Sequence, residues 1–166
     1  MKKKLMSLIA AAIISTTIIS CSNSKKESNT PEPAQQEILN YSKFSKGNGM
    51  IDSTLVNLVI KDNNVEGKML WLPDGKDAKV GILHGTKNEN GDLNLIFEHF
   101  QEGIKSNDSM VIKLTPNQMI IKDVWEINPD TKIKTPALDA RDTLEKSTTD
   151  VIPKQWNQRL ERIFNK

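Results

Sequence analysis

Turn-forming residues punctuate this chain at short, regular intervals from residue 50 onward. They fall at Asp62-Asn63-Asn64, Pro73-Asp74-Gly75, Asn90-Gly91, Ser106-Asn107-Asp108, Thr115-Pro116-Asn117 and Asn128-Pro129-Asp130. The segments between them are rich in Val, Ile, Leu, Met and Phe but too short for packed helices, which is the spacing of strands joined by tight turns. Each turn has a physical basis. Proline presets one turn dihedral and glycine accepts positive φ. Asn90-Gly91 is the strongest hairpin signal, because the favoured two-residue turn needs positive φ at both central positions.

The intervening runs are Leu55 to Ile60, Val65 to Leu72, Val80 to Lys87, Leu93 to Phe100, Met110 to Leu114 and Met119 to Ile127. Successive side chains of a strand point to opposite faces, so period-two patterns show which side is buried. Val65, Gly67, Met69 and Trp71 share one face, as do Leu93, Leu95 and Phe97, and Met110, Ile112 and Leu114. In the sixth run Met119, Ile121 and Ile127 align with Trp125. One face is consistently apolar and the other mixed, as in an antiparallel sheet with one solvated side. The expected fold is all-β: an antiparallel meander of about six strands forming a partial barrel or curved sheet.

The C-terminal tail changes period. Trp156, Leu160, Ile163 and Phe164 fall at helical spacing behind Asp150 and Pro153, which predicts one amphipathic helix over 153–164. Its apolar stripe is expected to cover an open end or edge of the sheet. Ala34 to Phe44 is read as a second short helix.

The N-terminus has a different character. Met1-Lys2-Lys3-Lys4 is followed by fifteen uncharged residues, Leu5 to Ile19. This is within the length of the apolar core of a secretory leader and is short for a membrane span. Ile18-Ile19-Ser20-Cys21 resembles a lipobox, in which the cysteine thiol receives the diacylglyceryl group. Cys21 is the only cysteine, so no disulfide can form within the chain. The expected organisation is a lipoprotein signal peptide at 1–20, a lipidated Cys21 with a flexible tether at 21–40, and one β-rich domain at 41–166. Several acyl chains on one cysteine anchor a protein stably without spanning the bilayer. Ser22, rather than aspartate, follows the cysteine. By resemblance to the known sorting rule, this points to the outer membrane. The run after Cys21 lacks the acidic cluster of surface-exported lipoproteins, which points to a periplasm-facing anchor.

Loss of the three leader lysines leaves 20 basic against 21 acidic side chains, so the full-chain net charge of +2 is no argument for nucleic acid as a partner. The stretch Asn64-Val65-Glu66-Gly67 through Trp71-Leu72-Pro73, then Gly81 to Thr86, Glu102-Gly103 and Met110 to Leu114, resembles small lipoproteins frequent in Bacteroidota with a calycin-like β-meander. The group has no settled activity. The resemblance therefore implies fold and address for roughly residues 50–127 and carries over no catalytic residue.

Candidate sites are few. His84 and His99 are the only histidines. Counting outward from Asn90-Gly91 places His84 opposite Phe97, diagonal to His99 and within reach of long side chains. With Glu98 or Asp123, such a pair would make a His-His-carboxylate metal site, set against two polar residues on a solvated strand face. Glu98, Glu102 and Asp123 are candidate acid-base carboxylates of the kind used on glycans. Trp71 and Trp125 either fill the core or line a barrel mouth. No nucleophile elbow, phosphate loop or zinc-protease helix is present, and no motif requires a cofactor. The leading expectation is a non-enzymatic envelope lipoprotein that binds a small apolar or glycan ligand or an envelope protein. The alternative is a hydrolase of envelope polymers.

Overall fold

A computed structural model describes residues 36–47, 50–137 and 140–164. The leader, Cys21 and most of the expected tether lie outside the described residues. Within them the chain forms nine strands and one helix: β1 Gln36–Gly47, β2 Met50–Lys61, β3 Asn64–Leu72, β4 Lys79–Lys87, β5 Asp92–Gln101, β6 Ile104–Leu114, β7 Gln118–Ile127, β8 Lys134–Pro136, β9 Asp142–Ser147 and α1 Lys154–Phe164.

All six expected strands are present, as β2 to β7, in one antiparallel meander. The sheet goes further and closes. β6 pairs with β7, the lower half of β7 pairs with β9, and β9 pairs with β1, so eight strands form a barrel with β8 added along the upper half of β7. Closure leaves the ring no full-length free edge, the standard hazard of open sheets. β1 replaces the helix expected over Ala34 to Phe44, and it begins at Gln36, before the expected domain boundary at residue 41. Only Leu39 and Tyr41 are buried along it, at alternate positions, so a strand satisfies its pattern with two core residues.

Two apolar clusters hold the domain together. Inside the barrel, Leu39, Tyr41, Leu58, Leu83, Leu95, Ile112, Met119 and Leu144 pack around the axis with their neighbours. Outside it, Leu55, Leu70 and Val80 face away from the axis and are covered by Ile152 and Leu160. The helix therefore covers the outer face of β2 to β4, and not an open end or edge. The alternation explains why. These three strands carry apolar residues on both faces, and their outer faces require a lid. Leu160 is the buried anchor, while Trp156 is half-buried and lies beneath Arg159, 5.0 Å from ring to guanidinium. Lys68 on β3 bonds Asn157 Oδ1 at 2.7 Å and fixes the helix over the sheet.

Two local departures from the expected pattern re-aim side chains. At the β4–β5 turn, the Asn88 side chain accepts the N–H groups of Asn90 and Asp92, and Gly91 takes φ of 82°. The loop is consequently Glu89-Asn90-Gly91, one residue longer than an Asn-Gly turn. The register moves by one, pairing Leu83 with Phe97 and His84 with Ile96. In β7 an irregularity opposite Val111 and Ile112 leaves Lys122 without a partner. Beyond this bulge the faces exchange, so Val124 and Glu126 point inward and Trp125 outward.

Candidate functional site

The barrel has two unlike ends. At the end formed by the β3–β4, β5–β6 and β7–β8 connections, the inward positions stop being apolar. Thr54, Trp71, Lys79, His99, Asp108 and Glu126 occupy the places that Val, Leu and Met hold lower down. Each falls toward the upper end of its strand, two residues beyond a buried position of the same face, a core side chain in five cases and Gly81 for Lys79.

Lys79 connects the group: its ammonium lies 3.2 Å from Asp108 Oδ2 and 3.5 Å from Glu126 Oε1. Asp108 is 4% exposed and His99 3%. His99 Nε2 sits 3.2 Å from the same Asp108 oxygen, but too poorly directed to count as a hydrogen bond, and Nδ1 has no partner among the described residues. Burial alone would push the Asp108 carboxyl up. The combined attraction of the His99 ring and the Lys79 ammonium outweighs burial and holds it below the ordinary carboxylate range. Asp108 is therefore ionised at neutral pH, inside a barrel where an unpaired charge would be costly.

This cluster separates two spaces. Below it lies a chamber of about 140 Å³ walled by Met69, Trp71, Phe97, Met110, Ile121 and Val124, with the polar Thr54 and Asp142 also in its wall. Above it an open groove of about 470 Å³ is bordered by Glu102, Ile104, Ser106, Ile127 and Pro129. Lys79, Asp108 and Glu126 line both, forming the floor of one and the roof of the other. Gly81 makes room beside them. A Cβ there would lie 2.0 Å from the Glu98 carbonyl oxygen and 2.7 Å from His99 Cα, so only glycine lets β4 approach β5 at this level.

The expected site residues scatter. His84 is exposed on the outer face, so the two histidines lie on opposite sides of the sheet and do not form a metal site. Glu98 points outward and pairs with Lys105. Asp123 also points outward, 2.8 Å from Arg141. Glu102 stands at the groove's rim in a turn where it and Gly103 both have positive φ, 53° and 79°. The three candidate carboxylates are thus not paired, which removes the geometry proposed for glycan hydrolysis. Trp71 does line the chamber, whereas Trp125 lies on the outer face, in register with Pro136 of β8.

The carboxylates that do converge, Asp108 and Glu126, were not singled out by sequence pattern, nor was Lys79. Ser106-Asn107-Asp108 reads as a turn in sequence, yet the turn is Glu102-Gly103, and Asp108 lies within β6. A legible signal was the pattern Asp108, Met110, Ile112 on one face of that strand. No helix among the described residues is long and apolar enough to cross a membrane. Comparison with protein-family models, with curated proteins and with solved structures finds no match for this chain.

Proposed function

We propose that this domain is a non-enzymatic binding module of the bacterial envelope, carried on a lipid anchor at Cys21, which holds a small ligand in the mouth of its barrel. The observation that supports it is the Lys79–Asp108–Glu126 cluster with a His99 ring unpartnered among the described residues, set between a largely aromatic and aliphatic chamber that also holds Thr54 and Asp142 and an open groove. Small barrels hold single small ligands at their mouths, and an apolar pocket with a few converging polar groups is the general form of such sites. Fold stability does not call for this arrangement, because apolar residues in place of a buried ion cluster stabilise a protein as well or better. The leader and lipobox supply the address: an outer-membrane anchor facing the periplasm.

The test is to fill the chamber. Met69→Trp adds bulk from the chamber wall toward its centre. In a deletion strain of the source bacterium, this variant should fold, reach the membrane and fail to complement. Complementation at the wild-type level would contradict a ligand in the chamber. The anchor is tested separately with labelled fatty acid: wild type should incorporate it and Cys21→Ser should not.

A further inference from the structure

The chemistry of the mouth narrows the ligand. Lys79 is the one cation among the described residues lining either space, and it is already held by Asp108 and Glu126. Glu102, at the groove's rim, has no ion-pair partner among the described residues. Of the four carboxylates lining the two spaces among the described residues, Asp142 is taken by Lys43, so Asp108, Glu126 and Glu102 face one ammonium, and the groove attracts positive charge and repels anions.

His99 adds an independent constraint. Both ring nitrogens of His99 lack a hydrogen-bond partner among the described residues, although Nε2 lies 3.2 Å from the Asp108 carboxylate. Leaving a buried polar ring unpaired is unfavourable, and the ring borders the groove, so a hydrogen-bonding group brought there by a ligand would complement it. A bare metal ion fits less well. It would have to displace the Lys79 ammonium, and no group of three His, Cys, Asp or Glu side chains suited to a metal occurs among the described residues.

The chamber beneath sets the size of the remainder. Its volume of about 140 Å³ is close to that of apolar cavities that accept one benzene ring. Trp71, Phe97 and Met110 supply aromatic and thioether walls.

We propose that the mouth binds a small primary amine, with a single ring or short apolar chain in the chamber and the protonated amino group among Asp108, Glu126 and Glu102. This rests on the mouth being a ligand site, and it adds the class of ligand. The experiment is a titration of the full-length protein at neutral pH with benzylamine, benzyl alcohol and benzoate, which share a ring and differ in head-group charge. The Trp71 indole and His99 ring signals are followed by NMR. Benzylamine should shift both saturably and bind about tenfold more tightly than benzyl alcohol, the usual scale of a charged hydrogen bond, with benzoate weakest. Glu126→Gln changes a side chain that is 60% exposed, so folding is not at risk. It should weaken benzylamine severalfold and leave benzyl alcohol unchanged. Equal binding of amine and alcohol, or tighter binding of benzoate, would overturn the amine while leaving a ligand site in place. Absence of saturable shifts with all three probes would overturn the amine as well. Whether the mouth binds anything is then decided by the Met69→Trp complementation.

Discussion

At and below the level of Phe97 the barrel axis is filled by Leu58, Leu83, Leu95, Ile112 and Met119, each at most 1% exposed. Above it the same strands aim Thr54, Trp71, Lys79, His99 and Asp108 at the same axis. Backbone, alternation and hydrogen-bond ladder continue unbroken between the two halves of β5 and β6. Only the inward side chains differ. The lower half therefore carries the stability of the domain, and the upper half places polar groups where stability alone would have chosen leucine. Substitutions in the two halves should differ in kind.

The largest effect belongs to the lower half. Leu58→Ala removes a fully buried side chain at a position with no room to relax, and should cost about 2–5 kcal/mol in urea unfolding. A loss below about 1 kcal/mol would mean the lower core is looser than its burial implies. In the upper half Lys79→Met leaves the buried Asp108 carboxyl with only His99 beside it, and should cost roughly 3 kcal/mol. The cause is electrostatic, so it should respond to a second substitution in a way that a cavity cannot.

The upper half should also respond to acid. The Asp108 carboxyl is held below its unfolded value of about 3.9, so the unfolded chain takes up its proton first as pH falls. The contribution of this group is complete above about pH 4 and is lost as pH drops through the depressed folded value. Asp108→Asn should flatten that part of the stability–pH curve, measured by urea unfolding from neutrality downward. An unchanged slope would mean that other carboxylates carry the acid response. The smallest effect lies outside both halves: Glu98→Gln, on the outer face beside Lys105, should change stability by no more than about 0.5 kcal/mol.

The same contrast explains what could be read from sequence. Strands β2 to β7 announce themselves because short apolar-rich runs, several of them alternating, recur between recognisable turns, and the α1 stripe is equally plain. β1 and β9 bury only two residues and one, Leu39 and Tyr41 against Leu144, too few for a period to show. The site was harder for a related reason. Inward positions are recognised by being apolar, and the mouth is where inward positions are polar, so Lys79, Asp108 and Glu126 look like solvated charges. Two details then misdirected the histidines and tryptophans. The Asn88 side chain lengthened a turn by one residue and moved His84 out of line with His99. The extra residue at Lys122 turned Trp125 outward and Glu126 inward. Neither a side-chain cap nor a bulge leaves a periodic trace. Trp71 escaped both and was placed correctly on the inner face.

The claim that the upper half serves a ligand and not the fold is tested most directly by replacing its charges together. In Lys79→Met/Asp108→Leu the pair becomes apolar at similar volume, and the Glu126 carboxylate that loses Lys79 is 60% exposed to water. Urea unfolding should show the double variant at least as stable as wild type, recovering the roughly 3 kcal/mol lost by Lys79→Met alone. The same protein should fail to complement the deletion strain. A double variant that remains several kcal/mol less stable than wild type, or one that complements fully, would contradict the account.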